Sequence, residues 1–321
     1  MLAATCTSQS AEDPLSGLTV GQVPDPQVPD GWVRVHVKAA ALNHHDLWSL
    51  KGVGLSADLL PMVLGCDAAG VTDDGREVVV HSLVGDPDWP GDETLDPKRT
   101  ILSERYQGTL AEQVVVPQRN LVAKPATLSF EQAACLPTAW LTAYRMLFTQ
   151  AGLRPGDRVL VQGAGGGVAT AAIALARAAG LVVFVTSRDE DKRAKALALG
   201  AHEVFESGAR LPQKMDAVLE TVGKATWSHS MRALRPGGTL VVSGATSGAD
   251  PSADLNRLFF LQLRVVGSTM GTRAELAALL RLLAATGVTP VVDEVVPLSA
   301  ARRAFERLAE GTVFGKVVLT P

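Results

Sequence analysis

Asp157-Arg-Val-Leu-Val-Gln-Gly-Ala-Gly-Gly-Gly-Val-Ala-Thr170 joins a buried strand to a helix through a turn made mostly of glycine. Arg158 to Gln162 reads as the strand, and Val168 to Gly180 as an alanine-rich helix. In that setting a glycine turn becomes a phosphate site. Small residues let the backbone approach a pyrophosphate, and the first N–H groups and the dipole of the helix attract its charge. The spacing is small-x-Gly-x-x-small, with Ala164 first, Gly166 in the middle and Ala169 last. Ala164 departs from a strict G-x-G-x-x-G, so the strand-to-helix context carries the reading more than the motif does. Gly165, Gly166, Gly167 and Val168 are the expected contacts to a dinucleotide.

Outward from this turn, strands alternate with helices. Leu181–Thr186 follows as a strand, 189–199 as a helix, then Asp216–Glu220 and Thr239–Gly244 as strands with a helix near Thr226–Leu234. Repeated β-α units imply a doubly wound parallel sheet with helices on both faces. The N-terminal part reads differently. Gly31-Trp-Val-Arg-Val-His-Val-Lys38 alternates apolar and polar side chains, and Glu77–His81 and Ala111–Pro117 add strands. Val84–Gln107, polar and rich in Asp and Pro, reads as a long surface loop. After the parallel series come a helix over Ala274–Thr286, a strand-like Val288–Val296, a helix over Ala300–Gly311 and a last strand, Gly315–Leu319. The expected organisation is a β-rich catalytic domain over 1–138, a Rossmann dinucleotide-binding domain over 139–270 and a return to the catalytic domain over 271–321.

With 321 residues, 47% hydrophobic and 20% charged, the chain suits a two-domain globular protein. A net charge of −3 gives no footprint for nucleic acid. No apolar run reaches the length of a membrane span, and Met1-Leu-Ala-Ala-Thr-Cys6 has no basic region ahead of a long apolar one, so a cytoplasmic location is expected. Three scattered cysteines, Cys6, Cys66 and Cys135, fit reduced thiols.

Six segments extend the reading across most of the chain: Ala40-Ala-Leu-Asn-His-His-Asp46, Pro61-Met-Val-Leu-Gly-Cys-Asp-Ala-Ala-Gly70, Gly108-Thr-Leu-Ala-Glu112, Leu136-Pro-Thr-Ala-Trp-Leu-Thr-Ala-Tyr144, Arg235-Pro-Gly-Gly-Thr-Leu240 and Phe314-Gly-Lys316. In order and spacing they resemble the medium-chain dehydrogenase/reductase superfamily, and within it the zinc-independent quinone-oxidoreductase branch. The resemblance implies an α/β fold in which a Rossmann sheet is inserted in a β-rich, GroES-like catalytic domain. Zinc-dependent members carry Cys where this chain has Asn43 and His where it has Cys66, and the loop that would hold a structural zinc corresponds to Val84–Gln107, which has no cysteine. A catalytic zinc needs about three protein ligands and a structural one four, so no metal is expected. His44, His45, Cys66 and Asp67 as an improvised metal site is the lesser reading.

An NAD enzyme places an acidic residue at the end of the second Rossmann strand to hold the ribose hydroxyls. Here that strand ends in Ser187-Arg188, with Lys192 at the start of the next helix. Arg188 and Lys192 offer cationic donors that suit a 2′-phosphate. NADPH is therefore the expected cofactor, with solvated surface charge as the other reading of those two side chains and Asp189 and Glu190 as first-turn helix residues. The resemblance places Thr138, Thr142, Gly244, Ala245, Thr246, Ser268, Thr269, Met270 and Lys316 in cofactor contact. Asn43, at a former metal-ligand position, is the expected polar group beside nicotinamide and substrate, against the alternative of capping its own loop. His45 and Tyr106 are candidate proton donors by chemical type, and Asp46 reads as a loop anchor. The implied reaction is hydride transfer from NADPH to a quinone or an α,β-unsaturated carbonyl compound. A metal-free alcohol dehydrogenase or aldehyde reductase and a non-catalytic NADPH-binding sensor are the competing functions. The expected partners are a small-molecule substrate and, through an edge strand near Leu263–Met270, a second copy in a homodimer.

Overall fold

The computed structural model describes residues 1–321. The chain divides into two compact units, Met1–Leu141 with Met270–Pro321, and Thr142–Thr269.

The second unit is a six-stranded, wholly parallel sheet. Its spatial order is 203–205, 182–186, 158–162, 215–220, 234–242, 264–267. Numbered within the unit, that is 3-2-1-4-5-6, the dinucleotide-binding order, with the strand order reversing between Arg158–Gln162 and Met215–Glu220. Val159, Leu160 and Val161 are buried, as are Val183, Phe184 and Val185 beside them. Such continuous apolar runs are what a strand covered on both faces requires. The helix Gly167–Ala178 packs through Ala169, Ala171, Ala172 and Ile173, all buried. Its alanines permit the close helix-on-strand approach that the turn needs.

The first unit holds a mixed sheet in which 121–123, 77–80, 67–72, 32–41, 316–320 and 292–297 lie side by side, with 113–117 also paired to 32–41. A three-stranded sheet of 18–22, 2–6 and 62–63 packs on the same core. The strands Leu2–Cys6 and Leu18–Gln22 carry too short and mixed a pattern to announce themselves. They form because Ala3, Ala4 and Cys6 are buried against their neighbours.

Two expectations change here. Val84–Gln107 is not simply surface loop: Leu83–Val84 pairs with Thr100–Ile101, and Thr94, Asp96, Leu102 and Ser103 are buried. The Asp96 carboxylate organises the segment by accepting from the N–H groups of Asp86 and Lys98. The helical stretch after Ser129 is also irregular. An α-helix, Phe130–Ala134, gives way to π turns at Leu136–Trp140 and Arg145–Gln150 around one α turn, Leu141–Tyr144. Pro137 has no N–H to give to a regular ladder, and π turns of this kind gather at functional sites. Thr138 sits in the first of them.

Candidate active site and dinucleotide site

In the Thr142–Thr269 unit, the turn after Arg158–Gln162 begins at Gly163, whose φ of +85° only glycine adopts without strain. Its N–H donates to the Thr186 carbonyl at 3.0 Å, tying the turn to the end of the second strand. Gly166 is the N-cap of Gly167–Ala178 and supplies no side-chain cap, so the first N–H groups of that helix are left for an anion. Gly165 is buried under Lys192: a Cβ there would lie 2.7 Å from Lys192 Cδ and 3.1 Å from Nζ. The ammonium of Lys192 therefore lies over the glycine turn, which solvated surface charge would not require. These residues fit a dinucleotide pyrophosphate.

Ser187 is buried and its hydroxyl accepts from Asp189 N–H at 3.2 Å, while Arg188 is exposed. Asp189 is the N-cap of the next helix rather than a first-turn residue, accepting from Lys192 N–H at 3.0 Å. Arg193, which sequence position did not single out, donates to the Ser187 carbonyl at 2.7 Å. Glu220 was missed too. It accepts from Val222 and Gly223 N–H at 2.8 and 3.0 Å and so shapes the turn after the fourth strand. The Gly244–Gly248 segment is hung on that turn: Ser247 N–H donates to the Val222 carbonyl at 2.7 Å and Lys224 N–H to the Gly248 carbonyl at 3.0 Å. Gly244 and Ala245 are half-buried and Thr246 is exposed. Ser268 N–H pairs with Val242 at 2.8 Å, and its buried hydroxyl has no partner. Thr269 is exposed, Thr142 is buried in its α turn, and Met270, in the other unit, adopts a φ of +50°.

The Met1–Leu141/Met270–Pro321 unit builds a buried charged cluster from two strands, Asp67–Thr72 and Lys316–Thr320, the N-cap Asn43 and the π turn Leu136–Trp140. Lys316 Nζ donates to the Leu42 carbonyl, to Asn43 Oδ1 at 2.6 Å and to Asp67 Oδ2 at 3.4 Å, so its three protons all have acceptors. Asn43 Nδ2 donates to Asp67 Oδ2 at 2.9 Å, and Thr138 Oγ1 donates to Asp67 Oδ1 at 2.6 Å. Burial pushes the Asp67 carboxyl up from its ordinary range, and Lys316, Asn43 and Thr138 pull against it. Cys66 Sγ lies 3.5 Å from Asn43 Nδ2 and 3.4 Å from Thr138 Oγ1, with its thiol raised by burial and by Asp67. Asp46 anchors the loop as expected, accepting from Asn43 N–H at 2.8 Å and Gly65 N–H at 3.1 Å.

Residues 29–126 match the model of the alcohol dehydrogenase GroES-like domain, and 167–285 that of the zinc-binding dehydrogenase. The chain is similar to acryloyl-coenzyme A reductase of Metallosphaera sedula, 31% identical over 95% of this chain and 96% of the relative. The chain belongs to the medium-chain dehydrogenase/reductase superfamily. As a member of that superfamily it is an oxidoreductase. Among solved structures it is similar to an NAD-dependent alcohol dehydrogenase, at 38% identity and a TM-score of 0.92 over the whole of both chains. It is also similar to the 2-octenoyl-CoA carboxylase reductase CinF, whose structure is a complex with NADP and 2-octenoyl-CoA, at 27% identity and a TM-score of 0.90 over 99% of this chain and 87% of that one.

The zinc that this superfamily implies does not suit the residues present. At Asn43 and Cys66, the positions expected to ligate it, stand an amide and a thiol, and only the thiol is a zinc donor of the usual kind. The atoms of His45, Asp46 and Cys66 lie within 4.8 Å of one another. Yet both Asp46 oxygens hold backbone N–H groups, and His45 Nε2 is paired with Glu104 Oε1 at 3.1 Å.

The geometry also gives several of the expected residues partners of their own in this oxidoreductase. Asn43 joins its amide to Lys316 and Asp67, and so orients the cluster. Lys316 is 3% exposed and turned inward, where a buried ammonium finds its acceptors. Burial opposes charge on His45, but Asp46, Cys66 and Glu104 outweigh it and push the imidazolium up to about 12. A group so firmly protonated is poorly matched to proton transfer near neutrality. Tyr106 packs on Trp32, ring centroids 5.0 Å apart, and lines a separate cavity of about 230 Å³ with Val84, Asp86, Lys98 and Arg105. The structure thus gathers Asn43, Thr138 and Lys316 with Asp67.

Proposed function

We propose that this protein is an NADPH-dependent, zinc-independent reductase of conjugated carbonyl compounds, enoyl thioesters and quinones among them. The observation that carries the reading is the Lys316–Asn43–Asp67–Thr138 cluster. Where metal-dependent relatives polarise a carbonyl, this chain holds an internal ammonium and a hydroxyl. Such a site suits an acceptor already activated by conjugation. NADPH supplies the hydride; the chain's own residues bind and orient. The uncapped helix start at Gly166 and the overlying Lys192 take the pyrophosphate, and Ser187, Arg188 and Arg193 take the 2′-phosphate. The half-buried Thr138 hydroxyl turns from Asp67 to the acceptor's oxygen as negative charge develops there, and Lys316 balances the Asp67 carboxylate it leaves. The proton then comes from solvent. The similarity to reductases of acryloyl-CoA and 2-octenoyl-CoA supports an enoyl acceptor.

A metal-free alcohol dehydrogenase is the second reading, favoured by the 38% identity to an NAD-dependent alcohol dehydrogenase. A homodimer is proposed on the edge strand Arg264–Gly267, beside which Leu255, Phe259, Phe260 and Val265 are exposed. The test is nicotinamide absorbance with chelator-treated protein. NADPH oxidation driven by crotonyl-CoA or a small quinone, and not by a saturated ketone, supports the proposal. Alcohol-driven reduction of NAD⁺ with no enone reaction would replace it with the second reading.

A further inference from the structure

The cofactor unit contains a second buried polar system. Gln162, Thr186, Glu220 and Ser230 are at most 1% exposed, and Thr226 and His229 are 8% exposed. Gln162 ends the first strand, Thr186 the second and Glu220 the fourth, while Thr226, His229 and Ser230 come from the helix Lys224–Ala233. Thr186 Oγ1 donates to Gln162 Oε1. Gln162 Nε2 donates to His229 Nδ1 and to Ser230 Oγ, each at 2.9 Å. Ser230 Oγ donates to Glu220 Oε2 at 2.6 Å, and Thr226 Oγ1 to the same carboxylate at 2.9 Å. His229 Nε2 donates to the Ala209 carbonyl at 2.8 Å.

The direction of every bond is fixed by its neighbours. Ser230 has spent its proton on Glu220, so it can only accept from Gln162, and the amide must present its NH₂ to the helix. His229 Nδ1 must then be the unprotonated nitrogen. A proton placed there would face the amide NH₂. Turning the amide to relieve that contact would set its oxygen against Ser230 and its NH₂ against Thr186, breaking the remaining bonds. The consequence reaches the dinucleotide loops directly. Gly163 follows Gln162, Ser187 follows Thr186, and Glu220 holds the Val222–Gly223 turn on which Gly244–Gly248 hangs.

We propose that Gln162, His229 and Glu220 are positioning residues for the cofactor, and that the network grips the dinucleotide loops only while His229 is neutral. This rests on the dinucleotide reading given above. The charged groups facing His229 are Glu220 from the fourth strand, Arg232 on its own helix and Lys214 from the segment before that strand. Burial holds the imidazole below its ordinary range; Arg232 and Lys214 add to that, and the Ala209 carbonyl and Glu220 oppose it. The neutral form is therefore complete above the ordinary imidazole range, and grip is lost as pH falls below it.

The experiment is calorimetric titration of the full chain with NADP⁺, which survives acid, between about pH 8 and about pH 5.5. The wild type is compared with His229→Asn, which keeps an acceptor but cannot titrate, and with His229→Leu, which keeps none. Titration of the ligand's own phosphate is common to all three proteins. The wild-type Kd is expected to rise on acidification by about tenfold more than that of His229→Asn, the equivalent of one pKa unit between free and bound protein. His229→Leu is expected to bind more weakly at every pH. Parallel curves for wild type and His229→Asn would overturn the proposal. If the variants fail to fold, the His229 titration followed by NMR in the wild type decides instead: equal pKa values with and without NADP⁺ overturn it, and a lower one with NADP⁺ supports it. If NADP⁺ does not bind, NAD⁺ is titrated in the same way, since either dinucleotide would use these loops. Binding of neither would sink the dinucleotide reading and this proposal together, whereas binding with parallel curves sinks this one alone.

Discussion

Lys316 carries a positive charge into an interior that tolerates one only when it is paired, and its acceptors are equally dependent on it. Lys316→Met is expected to destabilise the protein by about 3–5 kcal/mol, because Asp67 is left buried with neutral partners alone, the Asn43 amide and the Thr138 and Ser82 hydroxyls. Its check is the urea midpoint of the variant beside that of Lys316→Met/Asp67→Asn, which removes both charges and is expected to recover part of the loss. His45 gives a pH signature of the opposite sign to that of His229. Its pKa is raised in the folded protein to about 12 from an ordinary 6.5. Its stabilising share is therefore whole below the unfolded value and drains away as pH climbs from there toward the folded one. The stability gap between wild type and His45→Asn is accordingly expected to narrow from neutral to alkaline pH, as measured by chemical denaturation in a buffer series. A gap that stays constant would mean that His45 is held by packing and not by its ion pair with Glu104.

At the scale of elements, the loops at the carboxyl ends of the parallel strands decide what the sheet can bind, and their glycines are not equivalent. Gly223 has a φ of +92°, and a Cβ there would stand 2.5 Å from the Gly248 carbonyl oxygen. Neither strain nor clash can relax without moving backbone, so Gly223→Ala is expected to cost at least ~2 kcal/mol and to weaken NADP⁺ binding. Gly165 is different, because the atom in the way is the flexible end of Lys192. Gly165→Ala is expected to change stability by less than ~1 kcal/mol while weakening NADP⁺ binding, since it displaces the ammonium from the turn. Thermal melts with and without NADP⁺ separate the two effects. The irregular helical stretch follows a similar logic: Pro137 breaks the ladder, and the π turn that results carries Thr138 to Asp67.

For the whole molecule, the Thr142–Thr269 unit ends in an open edge, and unpaired edges are usually covered. Val265 is 43% exposed on it, and Phe259 and Phe260 are 68% and 79% exposed on the preceding helix. Sedimentation is expected to give a dimer for the wild type and a folded monomer for Phe259→Asp/Phe260→Asp. A wild-type monomer would return the edge to its own chain. No helix is long and apolar enough to cross a membrane.

Local pattern determined much of this protein. Continuous apolar strands, a glycine turn and an alanine helix repeat within Thr142–Thr269, and short-range physics reads them reliably because each element carries its own period. The alternation in Trp32–Ala41 and the superfamily segments were legible for the same reason. The strands Leu2–Cys6 and Leu18–Gln22 were not, since burial against distant residues, not propensity, makes them strands. In the candidate site, the residues were legible and their partners were not. The sequence put Asn43, Thr138 and Lys316 forward and had no means of showing that Asp67 would draw all three inward. It placed Ser187, Lys192 and the glycines near a dinucleotide but passed over Gly163, Arg193 and Glu220. A side chain's chemistry is written in the chain, but its hydrogen-bond partners can come from far along it, 274 positions away for Lys316 and Leu42. Only the tertiary structure decides which buried charge meets which acceptor.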